Sequence, residues 1–184
     1  TNLTGFNEYL TKENDYVQND LVPSVNVTYN IDSKQLLRFA YGKSINRQEF
    51  REVSSSVYYD FDLFSDVKGN PDLRPAYIHN FDLRYEIYPS PAEMISVSFF
   101  YKNFRNPIEW TYLDAGGSYT YTFENAERAR NFGIEVEVKK DLSFMGLDNF
   151  SVGLNASWID SKVFFAEGSL VHERPMRWYC PYLV

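Results

Sequence analysis

The chain has 184 residues, a formal charge of −7 and one cysteine. It is long enough for a sizeable core, but it lacks the basic footprint that nucleic-acid binding requires and the paired thiols of a disulfide or thiolate metal cluster. No stretch approaches the roughly 18 consecutive apolar residues of a membrane-spanning helix. Its aromatic share of 18%, with 15 Tyr and 15 Phe, suits rings placed at a membrane–water boundary. A low mean hydropathy does not oppose that reading, because a spanning β-strand is apolar only at alternate positions.

In chain order, the opening segment to Asp20 reads as a long polar loop. No signal-peptide pattern begins it, so the natural chain is expected either to have been processed or to start elsewhere. Val25, Val27, Tyr29 and Ile31 then alternate with polar residues, and Asp32-Ser33 marks a tight turn. Leu37, Phe39 and Tyr41 continue the alternation on a second strand. Ser44 to Pro75 is a second long polar stretch, and Pro71 and Pro75 keep it out of a ladder until Ala76, where pairing can begin. Phe81, Leu83, Tyr85 and Ile87 alternate without error with Asp82, Arg84 and Glu86. The turn Pro89-Ser-Pro-Ala92 leads into Ile95, Val97, Phe99 and Tyr101, set against Ser96, Ser98 and Lys102. After the stretch Phe104 to Asn131 come Phe132, Ile134, Val136 and Val138, opposed by Gly133, Glu135, Glu137 and Lys139. Asp141 to Asn149 turns the chain into Phe150, Val152, Leu154, Ala156 and Trp158. From Ala166 onward a further loop and the start of another strand are expected.

These strands predict a long antiparallel sheet with one apolar and one polar face, its strands neighbours in sequence order as an up-and-down meander. Short turns collect at one end of the sheet and long loops at the other, and strands of about a dozen residues exceed the usual 5–6 of globular sheets. Both features fit a segment of a transmembrane outer-membrane β-barrel in an all-β chain, with 1–20 and 45–75 as long extracellular-type loops. Tyr85, Tyr88, Tyr101, Trp110 and Trp158 are then expected at the interfaces as girdle residues. Asp82, Arg84, Glu86, Lys102, Glu135, Glu137 and Lys139 are expected to face the interior, because a charge on the lipid face near the midplane costs about 2–4 kcal/mol. Gly133 is expected to let a bulky ring or a plug approach the wall. A soluble β-sandwich that binds carbohydrate through exposed aromatics shows the same alternation, and a structural or adhesive barrel shows the same loop sorting.

Sites for chemistry are not evident. His79 and His172 stand in unrelated contexts, and Asp60-Phe-Asp62-Leu-Phe-Ser-Asp66 puts Phe64 at a ligand position of a would-be calcium loop. No nucleophile elbow, phosphate loop or zinc helix is present, so no catalytic residue, metal or cofactor is expected. In the aromatic and charged loop Phe50–Asp66, Tyr58, Tyr59 and Phe61 are candidates for contact with a ligand at the cell surface.

Several stretches resemble the barrel of a TonB-dependent outer-membrane receptor. They are Asn46-Arg-Gln-Glu-Phe-Arg-Glu52, Gly69-Asn-Pro-Asp-Leu-Arg-Pro75, the strand Asn80–Pro91, Phe99-Phe-Tyr-Lys-Asn-Phe-Arg-Asn-Pro-Ile-Glu109, and the run Thr122–Glu137 with its Asn-Ala and Gly-Ile-Glu elements. The resemblance covers nearly everything from Val22 onward. It departs from the family at Gln48, where proline usually follows the arginine, and at Arg177-Trp-Tyr-Cys180, where a Gly-Gln pair is usual. It implies a barrel of about 22 strands around a plug domain, set in outer-membrane lipid and driven by the TonB complex to take up a siderophore, vitamin, glycan or peptide. The chain is accordingly expected to be part of such a barrel, with the plug and the remaining strands supplied by sequence not present here.

Overall fold

The computed structural model describes residues 19–114, 119–147, 149–166, 172–176 and 180–183. Its main body is one curved wall. Strands β1 (Ser24–Asn30), β2 (Gln35–Asn46), β5 (Ala76–Ile87), β6 (Met94–Arg105), β9 (Arg128–Asp141) and β10 (Ser151–Phe164) lie side by side in that order, every neighbouring pair antiparallel. Two short strands, β11 (Glu173–Arg174) and β12 (Tyr182–Leu183), add to the far edge of β10 and complete an eight-stranded sheet. Part of the segment expected as a loop from Ala166, and nearly all of the opening one, lie outside the described residues.

The register turns the alternation of the sequence into continuous rows. Val27, Phe39, Leu83, Phe99, Ile134 and Trp158 stand opposite one another across six strands. The row nearer the turns is Tyr29, Leu37, Tyr85, Val97, Val136 and Ala156, and the row nearer the loops begins Val25, Tyr41, Phe81, Tyr101 and Phe132. Among the described residues no second sheet covers this apolar face. Leu83 is 41% exposed and Phe99 50%, in the middle of central strands. A soluble sandwich would bury those positions between two layers, which the described residues do not. The arrangement suits a wall whose apolar side meets hydrocarbon.

Loop sorting follows the expectation. Ile31–Lys34 joins β1 to β2, and Tyr88–Glu93 joins β5 to β6. At that end Asp32 Oδ1 accepts the Lys34 amide at 2.7 Å, and Lys34 Nζ and carbonyl bond Pro89 O and the Tyr88 amide at 3.1 and 2.8 Å, tying adjacent turns together. The longer connections, 47–75 and 106–127, leave from the opposite end.

Here the structure corrects the sequence reading. The long connections are not merely loops, and the chain is not a pure meander. A short helix, α1 (Phe50–Val53), precedes β3 (Val57–Asp60) and β4 (Ser65–Lys68); the other connection forms β7 (Ile108–Asp114) and β8 (Tyr119–Asn125). These four strands make a separate sheet in the order β3-β4-β8-β7, and β4 runs parallel to β8. Two loops from different hairpins can meet in either direction, because neither is joined to the other by a tight turn.

Candidate functional site

Two places gather the residues singled out from the sequence: the polar face of the wall near the turns, and the loop sheet at the opposite end.

On the polar face, Arg84 stands in register with Arg38, Ser98 and Glu135, and Glu86 with Leu36, Ser96 and Glu137. The two serines keep β6 low, so the Arg84 side chain crosses over that strand to reach β9. Arg84 Nη2 meets Glu137 Oε2 at 3.2 Å and its Nε meets Glu86 Oε1 at 2.6 Å. Arg38 Nε approaches the same Glu86 oxygen at 3.4 Å, and the Tyr88 hydroxyl donates to Glu86 Oε2 at 2.8 Å. Glu86 is thus a buried carboxylate, 4% exposed, with both oxygens occupied. Its charge is balanced where it sits, as a desolvated carboxylate requires.

Around this network the other expected polar-face residues are distributed singly. Asp82, Glu135 and Lys139 are exposed, Lys102 is half-buried, and among the described residues none of the four forms an ion pair. Gly133 behaves as expected. A Cβ there would lie 2.7 Å from the Phe100 ring and 2.5 Å from the Trp158 carbonyl, so the missing side chain is what lets the ring approach the strand.

Sequence reasoning missed Arg38 and Tyr88. The signal for Arg38 was its register opposite Arg84, and for Tyr88 its place just beyond Ile87 on the polar side. Tyr88 is therefore not an outward girdle residue, whereas Tyr85, Tyr101 and Trp158 do stand on the apolar face. Held by the Glu86 carboxylate, the Tyr88 phenol ionises above its usual range. At the same sheet end, Lys140 Nζ lies 2.5 Å from Glu93 Oε1 and holds that carboxyl below its usual range.

The loop sheet has its own core. Val67, Leu73 and Phe123 are buried, and Val53, Tyr58, Leu63, Ile108, Trp110 and Tyr121 pack on them. Trp110, expected at a membrane interface, instead tilts against Phe123 with ring centroids 4.5 Å apart. The two stretches that carry most of the resemblance meet here. Asn70 Nδ2 donates to the Phe123 carbonyl at 2.9 Å, while Asn125 Nδ2 donates to the Arg74 carbonyl at 2.8 Å and its Oδ1 accepts the Arg74 amide at 2.7 Å. Gly69 admits no side chain, because a Cβ would lie 2.1 Å from the Ser54 carbonyl.

Of the three candidate ligand contacts, Tyr58 packs against this core, whereas Tyr59 and Phe61 are exposed and meet edge to face at 5.2 Å. The Asp60 carboxylate, considered above for calcium, accepts the Asp62 and Leu63 amides at 2.9 and 3.0 Å and shapes the β3–β4 turn. A groove of about 440 Å³, not foreseen from sequence, lies beside β7 and β8 and is lined by Lys68, Asn70, Thr111, Tyr112, Thr122 and Glu124 among others. Its size is within the range of small-molecule sites, and it offers both charges and hydroxyls.

The model of the outer membrane protein beta-barrel family matches residues 1–178. The chain belongs to that family. Its place is the cell outer membrane. In fold, this barrel segment is similar to the siderophore receptor PirA from Pseudomonas aeruginosa, with a TM-score of 0.66 and 14% identity over 76% of this chain and 28% of that one. It is similar also to a variant of the ferric enterobactin receptor PfeA from the same organism, with a TM-score of 0.55 and 14% identity over 81% of this chain and 26% of that one. The barrel segment thus spans about a quarter of the length of these receptors. No curated protein sequence matches it.

Proposed function

We propose that this chain is a stretch of the barrel wall of a TonB-dependent receptor that takes up a nutrient, a siderophore, vitamin, glycan or peptide, across the outer membrane. The observation that carries the reading is the pairing of faces. A bare apolar side stands back to back with a polar side on which a buried carboxylate is neutralised by two arginines from neighbouring strands. Such a polar face suits a lumen filled by a plug and water, with Asp82, Lys102, Glu135 and Lys139 left available to both. The long connections are then extracellular, and Tyr59, Phe61 and the groove beside β7 and β8 meet the ligand. Likeness in fold to two siderophore receptors makes ferric siderophores the first substrates to try.

The test uses the full-length protein in its own cell. Deleting its gene is expected to abolish growth on one member of a panel of siderophores, vitamins, glycans and peptides, and inactivating TonB is expected to abolish the same growth. Restoration with a Tyr59→Ala, Phe61→Ala double variant should leave surface display intact and weaken ligand binding about tenfold or more. Unchanged uptake of every panel member after deletion, with loss of adhesion or envelope integrity instead, would identify a structural or adhesive barrel.

A further inference from the structure

Above the last continuous apolar row, the outward face changes character. Its next two rows place Arg105 directly opposite Arg128, and Arg130 directly opposite Lys162, on the three adjacent strands β6, β9 and β10. Like charges in direct cross-strand register repel, and neighbouring strands are only about 4.8 Å apart. This sequence therefore sets four cations into one small patch, although the chain as a whole carries −7. Two of them have acidic partners. Arg130 lies 3.9 Å from Asp160, and Lys162 lies 3.1 Å from Glu173. Arg105 and Arg128 have no ion pair among the described residues, and both are exposed. The Arg128 guanidinium lies over the Phe164 ring, 4.6 Å from its centroid, a stacking that fixes the plane and leaves the N–H edge free to donate.

We propose that Arg105, Arg128, Arg130 and Lys162 form a binding site for the phosphate-bearing headgroup of an anionic lipid in the outer leaflet. Position and charge together select this occupant. The patch borders the apolar band, where Phe81, Tyr101 and Phe132 stand in the row below it, so a ligand there has its tail against hydrocarbon-facing rings and its head at the cations. An anion placed between Arg105 and Arg128 converts a repulsive pair into two charge-assisted hydrogen-bonded contacts. The leaflet follows from the reading of the long connections as extracellular; the site itself needs no transport activity.

The experiment uses the full-length protein that contains this chain, purified in dodecylmaltoside. Melting is followed as the micelles are doped with phosphatidylglycerol, with phosphatidylcholine, or as inorganic phosphate is added. Phosphatidylglycerol is expected to raise the melting temperature of the wild type, and phosphatidylcholine to leave it unchanged. At about a factor of five per arginine, Arg105→Gln with Arg128→Gln should weaken the apparent affinity for phosphatidylglycerol roughly thirtyfold. Arg105→Lys with Arg128→Lys should retain most of it. In plain dodecylmaltoside the glutamine variant should melt close to the wild type, because the repulsion it loses offsets the Arg128–Phe164 contact it also loses, which separates lost binding from lost folding. Equal affinity of wild type and glutamine variant, equal stabilisation by phosphatidylcholine, or the same stabilisation by inorganic phosphate alone would each overturn the proposal.

Discussion

Gly133 is the residue at which sequence and geometry agree most closely. A glycine in the middle of an otherwise regular strand costs stability unless something needs the space, and the Phe100 ring and the Trp158 carbonyl both need it. Gly133→Val is expected to destabilise the full-length protein by about 1–3 kcal/mol, read from denaturant unfolding in detergent. Adding Phe100→Ala should recover only part of that, because the carbonyl contact is backbone and remains. Glu86 was legible as a charge on the polar face, but not as a charge held by Arg38 and Tyr88. That requires the register between strands, and alternation within one strand does not supply it. Glu93 offers a test by pH. Its folded carboxyl titrates below the unfolded one, so its contribution is present above the unfolded pKa, about 4.3, and disappears as pH falls through the folded value. The melting temperature of Glu93→Gln should therefore lie below that of the wild type at neutral pH, and the gap should close in acid. A gap that persists unchanged at the lowest pH would mean that the Lys140 contact does not act through charge.

At the scale of elements, the wall was readable because each of its strands is long and carries the alternation itself. Its ends were not. β2 runs on to Asn46 and β9 begins at Arg128, both beyond the apolar rows, where the outward face turns polar, Phe104 and Ala129 put apolar residues on the opposite face, and period two changes phase. The loop sheet was missed for a different reason. β3 and β4 are four residues each, too short for a pattern, and their partner β8 lies far along the chain. Yet Tyr119, Tyr121 and Phe123 do alternate with Thr120, Thr122 and Glu124, a signal that was present inside a stretch taken for loop. Assigning Trp110 to the membrane boundary was the direct consequence. The clearest test of the wall's two faces lies in adjacent residues of β5. Leu83→Arg, in the middle of the apolar rows, should cost about 2–4 kcal/mol in lipid vesicles. Asp82→Arg, one residue away on the opposite face, should cost less than about 1 kcal/mol. Equal costs would mean that both faces meet the same medium.

For the whole molecule, the deciding quantity is how much apolar surface the wall leaves uncovered. Among the described residues, all the buried hydrophobic side chains but Ala76 fall into two small clusters, one in the loop sheet and one formed by Ala126, Ala129 and Val163. Neither lies beneath the apolar rows. Val27 at 52%, Phe99 at 50% and Leu154 at 56% exposure stand on three different strands of the same face, so the uncovered area is continuous across the sheet. A monomeric soluble protein rarely exposes more than a few hundred Å² in one apolar patch, and rows of aromatic and branched side chains spanning six strands exceed that. A barrel of about 22 strands also curves too gently for this stretch to close on itself while keeping its register. Produced alone, the 184-residue chain is therefore expected to aggregate, to require detergent, or to bury its apolar face against another copy. Sedimentation of the purified chain, with and without detergent, checks this. A monodisperse monomer with a cooperative melt in plain buffer would mean that some part of the chain folds over the apolar rows, and the assignment of that face to lipid would have to be withdrawn.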